Sequence, residues 1–242
     1  MNIAANQIDY QTLNEMVRTS LETDITISHC LGQRYIATGL SGKNIEIYGT
    51  PGNAMGSYLC DGVIHLYGNA QEATGDTMNG GTIYVHGSAG DGTGYAMRGG
   101  RIYIQNDAGY RTGIHMKAYE DKFPVVIIGG CAGSFLGEYQ AGGVIVVLGM
   151  NTEHSHIVGY FCGTGMHGGK IYLRCDEKSL PNNLPKQVSV SVATSKDMEE
   201  IDAYLTEYCT AFSENKKDIL AHSFYVLTPD TKNPYKQLYT YV

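Results

Sequence analysis

Several stretches of this chain combine residue types and spacings that carry chemistry in proteins generally. Gly163-Thr164-Gly165-Met166-His167-Gly168 spells G-x-G-x-x-G, a pattern whose glycines let a backbone approach a pyrophosphate at a helix N-terminus. Gly90-Asp91-Gly92-Thr93-Gly94 has the look of a calcium-binding glycine-aspartate repeat, in which stacked carboxylates supply hard oxygen ligands. Glu153-His154-Ser155-His156 offers two imidazoles to a metal, and Asp76 and Glu138 are carboxylates of the kind that work in pairs on glycosidic bonds. His115 and His167 stand alone, and the six cysteines, at 30, 60, 131, 162, 175 and 209, form no C-x-x-C pair.

Whether any of these acts depends on the elements that position it. A dinucleotide fingerprint must open a helix inside a βαβ unit, but this one runs into the strand-like Lys170 to Leu173, so its glycines read as turn residues. The positions equivalent to Asp91 in neighbouring repeats are Asn53, Glu72, Tyr110 and Ser134, which is no acidic ladder. The column of Asp76 and Glu138 is otherwise filled by Ser57, Tyr95, Ile114 and Thr164, so the two acids read as solvated turn carboxylates. His154 and His156 lack the i, i+4 spacing of a helical metal site and read as an exposed polar loop. The cysteines read as buried, reduced thiols. No catalytic, cofactor-binding or metal-binding residue is assigned.

Those equivalences come from an internal repeat. Asn44-Ile45-Glu46-Ile47-Tyr48-Gly49 recurs nineteen residues later as Val63-Ile64-His65-Leu66-Tyr67-Gly68, then as Thr82-Ile83-Tyr84-Val85-His86-Gly87 and Arg101-Ile102-Tyr103-Ile104-Gln105-Asn106. After insertions near Ala118 to Phe123 and Asn151 to His156, it resumes at Val125 to Gly130, Gly143 to Gly149 and Gly169 to Leu173. Glycines 56, 75, 94, 113, 137 and 163 share one column; Leu59, Met78, Met97, Met116 and Met166 share another, with Gln140 the exception. Of 31 glycines, 30 lie between Gly39 and Gly169, so the repeat region is their home and the last 73 residues have none. Alternation in the I-x-[ILV] segments predicts strands with one buried face. A nineteen-residue unit is too short for a βαβ crossover and predicts a mainly β fold: a right-handed parallel β-helix of about seven coils.

The flanks differ. Thr12-Leu13-Asn14-Glu15 matches a capping box, leading Leu13, Met16, Val17 and Leu21 on one helical face, and Ile25, Ile27 and Leu31 alternate as a first strand. Thr194-Ser195-Lys196-Asp197 is a second capping box, followed by Met198, Ile201, Leu205, Tyr208 and Phe212 at helical spacing. A short helix is predicted through Lys216 to His222, then an extended tail with Pro229, Pro234 and tyrosines 235, 239 and 241, suited to self-association or partner docking. The division expected is 1–38 as helix and cap, 39–175 as the repeat region and 176–242 as a helical extension. A net charge of −7 and pI near 5.6 give no electrostatic case for nucleic acid or an anionic membrane. Apolar runs such as Val144 to Leu148 are far below the roughly 20 residues of a membrane helix, and Met1 to Tyr10 does not read as a secretory signal, so a cytoplasmic protein is expected.

Gly52-Asn53-Ala54-Met55-Gly56-Ser57-Tyr58-Leu59, Leu66-Tyr67-Gly68-Asn69-Ala70 and Gly75-Asp76-Thr77-Met78-Asn79-Gly80-Gly81-Thr82-Ile83 together resemble the glycine-repeat (GXGXG) C-terminal domain of the glutamate synthase large subunit. The chain is also similar to the C subunit of formylmethanofuran dehydrogenase. The resemblance runs from about Thr23 to Lys170 and includes Gly130-Cys131-Ala132-Gly133 and Met166-His167-Gly168-Gly169; the segment after Asp176 has no counterpart. It implies a scaffold for glutamate synthesis from glutamine and 2-oxoglutarate, with other chains carrying the glutaminase and the FMN and iron-sulfur site. The chain starts Met1-Asn2 without the N-terminal cysteine of an amidotransferase and has no iron-sulfur cysteine cluster. The expectation is therefore a free-standing structural subunit that binds no cofactor itself and packs against amidotransferase and FMN-containing chains. The rival is a non-catalytic regulatory module holding a small molecule or protein.

Overall fold

The I-x-[ILV] segments alternate side chains across an extended backbone, and each of the seven forms a strand. A computed structural model describes residues 1–150, 152 and 156–230. In chain order the elements are β1 (Asn2–Ala4), α1 (Tyr10–Thr19), β2 (Asp24–Leu31), β3 (Lys43–Thr50), β4 (Gly62–Tyr67), β5 (Asn79–Val85), β6 (Gly99–Ile104), β7 (Pro124–Ile128), β8 (Ala141–Val147) and β9 (Gly168–Arg174). A 3-10 turn at Glu177–Ser179 is followed by β10 (Val188–Val192), α2 (Ser195–Phe212), α3 (Lys216–Leu220) and β11 (Phe224–Pro229). All the strands join one eleven-stranded sheet, ordered β1 to β9 and then β11-β10.

The expected seven-coil β-helix is corrected to this single, mostly parallel sheet. Strands β1 to β9 run parallel, whereas β11 adds antiparallel to β9 and β10 antiparallel to β11. The physical reason lies in how a repeat divides: one stretch pairs as a strand, and the rest is tight turns that meet the next repeat through single bridges such as Ala70 to Ala89 and Ala89 to Ala108. The C-terminal segment is likewise not only helical, since it supplies the last two strands.

Pairing is in register, so Ile45, Ile64, Ile83, Ile102, Val126, Ile145 and Ile171 form one row of the core. Met78, Met97, Met116 and Met166 from the turns are buried in the same cluster. Gly75, at φ +67°, shows why the glycine column exists: a Cβ there would strike Cδ1 of Ile102. Gln140, in the methionine column, is buried, and its Nε2 donates to the carbonyls of Gly142 and Gly143 at 3.2 and 3.1 Å.

Two local expectations are corrected. Helix α1 is capped by Asp9, whose carboxylate accepts from the amides of Gln11 and Thr12, and it ends at Thr19, leaving Leu21 exposed. In β2 the register slips between Ile27 and Cys30, with His29 at φ +56°; the slip flips the faces, so Cys30 is buried and Leu31 exposed. The capping box at Thr194 and Asp197 is present as expected, and Ile201, Leu205, Tyr208 and Phe212 of α2 are buried.

Candidate functional site: two aromatic faces

The side chains opposite the isoleucine row repeat every nineteen residues too: Glu46, His65, Tyr84 and Tyr103 in one column, Tyr48, Tyr67 and His86 in the next. Period-2 alternation puts them on the outer face of the sheet. Helix α2 covers this face over β5 to β9, packing Ile201, Leu205, Tyr208 and Phe212 in one cluster with Val125, Ile127, Val144, Val146 and Tyr172. Two polar nodes fix the helix. Glu207 accepts hydrogen bonds from the hydroxyls of Tyr84 and Tyr103 at 2.7 and 2.8 Å and from Nη1 of Arg101 at 2.8 Å. Lys170 donates to Asp197 at 2.8 Å and Glu200 at 2.6 Å, and Tyr172 donates to Glu200 at 3.0 Å. Burial, and then the Glu207 carboxylate, raise the Tyr84 and Tyr103 phenols well above their ordinary range. Burial works against the Lys170 ammonium, but its bonds to Asp197 and Glu200 outweigh it and hold the group above its usual value. In return Lys170, with help from Thr194, holds Asp197 down to about 2.

Beyond the helix the same face is open. Tyr48 and Tyr67 stack at 4.7 Å and are 42% and 38% exposed. Tyr67 stacks on His86 at 4.5 Å, His65 on Tyr84 at 4.5 Å, and Phe212 of α2 meets the His86 ring edge-on at 5.0 Å. Nδ1 of His65 lies 3.3 Å from Nε2 of His86. Burial lowers the pKa of both imidazoles, partly opposed at His65 by Glu46, so both are neutral near pH 7.

The second face lies on the turns. Large side chains occupy left-handed backbone there: Arg111 at φ +56°, His115 at +54°, Phe135 at +63°, Tyr139 at +54° and Phe161 at +62°. Such a conformation costs roughly 1–2 kcal/mol per non-glycine residue. His115 stacks on Tyr139 at 5.1 Å, Phe135 on Phe161 at 4.9 Å, and the Arg111 guanidinium sits 5.4 Å from the Phe135 ring centre. A shallow groove of ≈ 640 Å³ runs beside them, lined by Glu72, Asp91, Tyr95, Tyr110 and Glu138 among others.

The sequence-level candidates find structural roles. The amides of Gly163, Thr164, Met166, His167 and Gly168 in the G-x-G-x-x-G stretch donate to carbonyls of this chain, so these five are engaged within the fold. Asp91 accepts from the amide of Tyr110 at 2.8 Å and ties one repeat to the next. Asp76 accepts from the Thr77 hydroxyl at 2.8 Å, while Glu138 faces Nε of Arg111 at 3.7 Å. His167 Nδ1 lies 3.1 Å from the Gly165 carbonyl oxygen. Glu153 and His154 lie outside the described residues; His156 Nδ1 is 3.1 Å from the Ser179 carbonyl oxygen. Among the described residues no cluster of three His, Cys, Asp or Glu could hold a metal.

All six cysteines are free thiols. Burial pushes Cys162 up to about 12 and Cys30 and Cys175 up to about 11, which suits inert core thiols. Cys60, which is exposed, and Cys131, which is half-buried, depart from the expectation. What sequence reasoning missed is the outer face itself. Its signal was present, since the Glu46, His65, Tyr84, Tyr103 column has the same period as the isoleucines, but only the docking of α2 gives it meaning.

Comparison with known proteins gives three findings. The profile of the GXGXG motif family matches residues 3–230. The uncharacterized protein MJ1350 of Methanocaldococcus jannaschii is 42% identical over 251 residues, an alignment covering 98% of this chain and 95% of that one. Among solved structures, the formyltransferase/hydrolase complex (FhcABCD) from Methylorubrum extorquens, in complex with methylofuran, has a chain that aligns with a TM-score of 0.63 and 19% identity, over 84% of this chain and 72% of its own. At that identity the likeness is one of fold. No helix among the described residues is long and apolar enough to cross a membrane.

Proposed function

The chain belongs to the GXGXG motif family, and from that membership we propose that it is a non-catalytic structural subunit scaffolding a glutamate synthase-like assembly. In this reading separately encoded chains hydrolyse glutamine and reduce the resulting imine at an FMN and iron-sulfur site. In this reading the chain itself carries none of those groups and presents a sheet on which the others dock. The observation that carries the reading is the open half of the outer sheet face. Tyr48 and Tyr67 are stacked and exposed on a face that α2 seals elsewhere, and tyrosine gives large contact area at low ordering cost. Support also comes from the fold neighbour, which is one chain of a multi-subunit complex.

Purification of the native protein from its host under gentle conditions tests this. Co-elution with an amidotransferase chain and a flavin-containing chain is expected, and its loss in a Tyr48→Ala, Tyr67→Ala variant that retains the wild-type melting temperature would locate the contact. A stable species carrying neither partner would overturn the proposal. A melting-temperature rise with a small metabolite, in a protein that captures no partner, would instead favour the regulatory-module reading.

A further inference from the structure

The two edges of the sheet differ. At one end β1 is three residues long, and a strand that short offers little to pair with. At the other end β10 runs five residues, Val188-Ser189-Val190-Ser191-Val192, with β11 as its one neighbour in the sheet. Sheet edges are commonly blunted by a charge, a proline or a bulge, and β10 has none of these. Helix α2 runs away from this edge, from Asp197 and Glu200, bonded to Lys170 of β9, to Glu207, bonded to Tyr84 of β5. Pro234 and tyrosines 235, 239 and 241, the tail expected to associate, lie outside the described residues.

The backbone groups of β10 sort by direction. Its ladder with β11 is closed at one end by the Ala193 amide on the Phe224 carbonyl and at the other by the Asp230 amide on the Gln187 carbonyl, each at 2.8 Å. Hydrogen-bonded pairs recur at every second residue of an antiparallel ladder. Ser189 and Ser191 therefore bond to β11, while Val188, Val190 and Val192 turn their amides and carbonyls outward. In that outward row the Val188 amide donates to the Pro185 carbonyl at 2.9 Å, and the other groups have no partner among the described residues. Such a row is a template for another strand.

The strand itself points to the occupant. Val-Ser-Val-Ser-Val reads the same in both directions, so a two-fold axis through Val190 lays a second copy antiparallel with like on like. Val190 then exchanges both its bonds with Val190 of the second copy. The Val192 amide reaches the carbonyl of Val188 of the second copy, the outward group that the Pro185 contact leaves open. Val188 is buried and Val190 packs against the core, but Val192 is 63% exposed; the axis sets it beside Val188 of the second copy, apolar on apolar. Ser189 meets Ser191 of the second copy, and no like charges are opposed.

We infer that the chain pairs with a second copy of itself through β10, joining two sheets into one. A five-residue contact is about 17 Å long and falls at the small end of specific interfaces, so the dimer is reversible and dissociates in the micromolar range. It uses the opposite end of the sheet from Tyr48 and Tyr67, and neither association depends on the other.

Sedimentation equilibrium of the full chain from low to high micromolar concentration, with amide exchange followed by NMR over the same range, decides it. Val192→Lys alters an exposed side chain, and Val190→Pro removes an amide that β11 does not use. Expected is a monomer–dimer equilibrium weakened at least about tenfold in both variants. In the wild-type chain the Val190 and Val192 amides should exchange more slowly as concentration rises. A monomer at every concentration overturns the proposal. So does a dimer that Val192→Lys leaves intact and in which those two amides stay fast, since it forms through another surface. Slow exchange at both amides in a monomer overturns it in favour of a cover from within the chain. Should Val190→Pro fail to fold, Val192→Lys and the wild-type exchange rates still decide.

Discussion

Replacing Glu207 with alanine tests how α2 is held. The carboxylate accepts from two phenols and one guanidinium. Hydrogen bonds to a charged group contribute about 1.5–3 kcal/mol each. Because the Glu207 side chain is 26% exposed, the lower figure applies, about 3 kcal/mol for the two hydroxyls together. The Arg101 side chain is 46% exposed, and such a surface pair adds only about 0–1 kcal/mol. Against this stands the apolar underside of α2. Burying Ile201, Leu205 and Phe212 contributes about 1.5–3 kcal/mol apiece, more in sum than the polar node. Glu207→Ala should therefore loosen α2 without detaching it.

In urea unfolding the variant should lose about 3 kcal/mol, with a melting temperature roughly 6–12 °C lower for a chain of this size. Native-state amide exchange in α2 should quicken about 100-fold, the factor that corresponds to that energy. Glu207→Gln keeps an acceptor oxygen and removes the charge, so it should fall between. In alkaline spectrophotometric titration its Tyr84 and Tyr103 phenols should ionise at lower pH than in wild type, though burial still holds them above the ordinary range. A Glu207→Ala chain with wild-type exchange in α2 would refute the reasoning and leave apolar packing as the sole anchor.

Three further expectations follow from the same geometry. Asp197 sits at about 2 against 3.8 for a free side chain, so between those values the unfolded chain binds the proton and the folded chain does not; this contribution is complete above pH 4 and is lost on acidifying toward 2. In Lys170→Met the Asp197 carboxyl resonance should titrate closer to 3.8, and an unmoved midpoint would assign the shift to Thr194 alone. His65 and His86 have folded pKa values below 6.5, so the unfolded chain protonates first and stability should decline as pH falls through 6.5; His86→Phe should flatten that part of the pH–stability profile measured by urea unfolding. Gly68→Ala would drive a Cβ into the Gly49 carbonyl oxygen of the preceding repeat, and a loss of more than about 2 kcal/mol is expected in calorimetry, where a neutral result would mean that the repeats can slide apart.

How much of this was legible in the sequence depends on the range of the interaction. The nineteen-residue period fixed where the seven repeat strands lie, which side chains face inward and that α2 begins at a capping box, because each is a matter of local backbone preference and of identical residues stacking on one another. The strand count, the single sheet and the reversal of direction at β11 were not legible. They arise from pairing between residues more than fifty positions apart, as between Leu227 and Ile171, and no period marks that choice. Leu31 shows the same limit at small scale, since one slipped residue at His29 reversed a face that alternation alone assigned inward.

The chemistry divides the same way. Sequence by itself removed the nucleotide, calcium and paired-carboxylate readings, because register shows what does and does not recur beside Gly163, Asp91 and Asp76. Only tertiary structure decided that Tyr84, Tyr103 and Arg101 converge on Glu207, more than a hundred residues away. A repeat specifies a surface, but what settles on that surface depends on burial and charge brought together through space, and a helix outside the repeat leaves no trace of its docking place in the period.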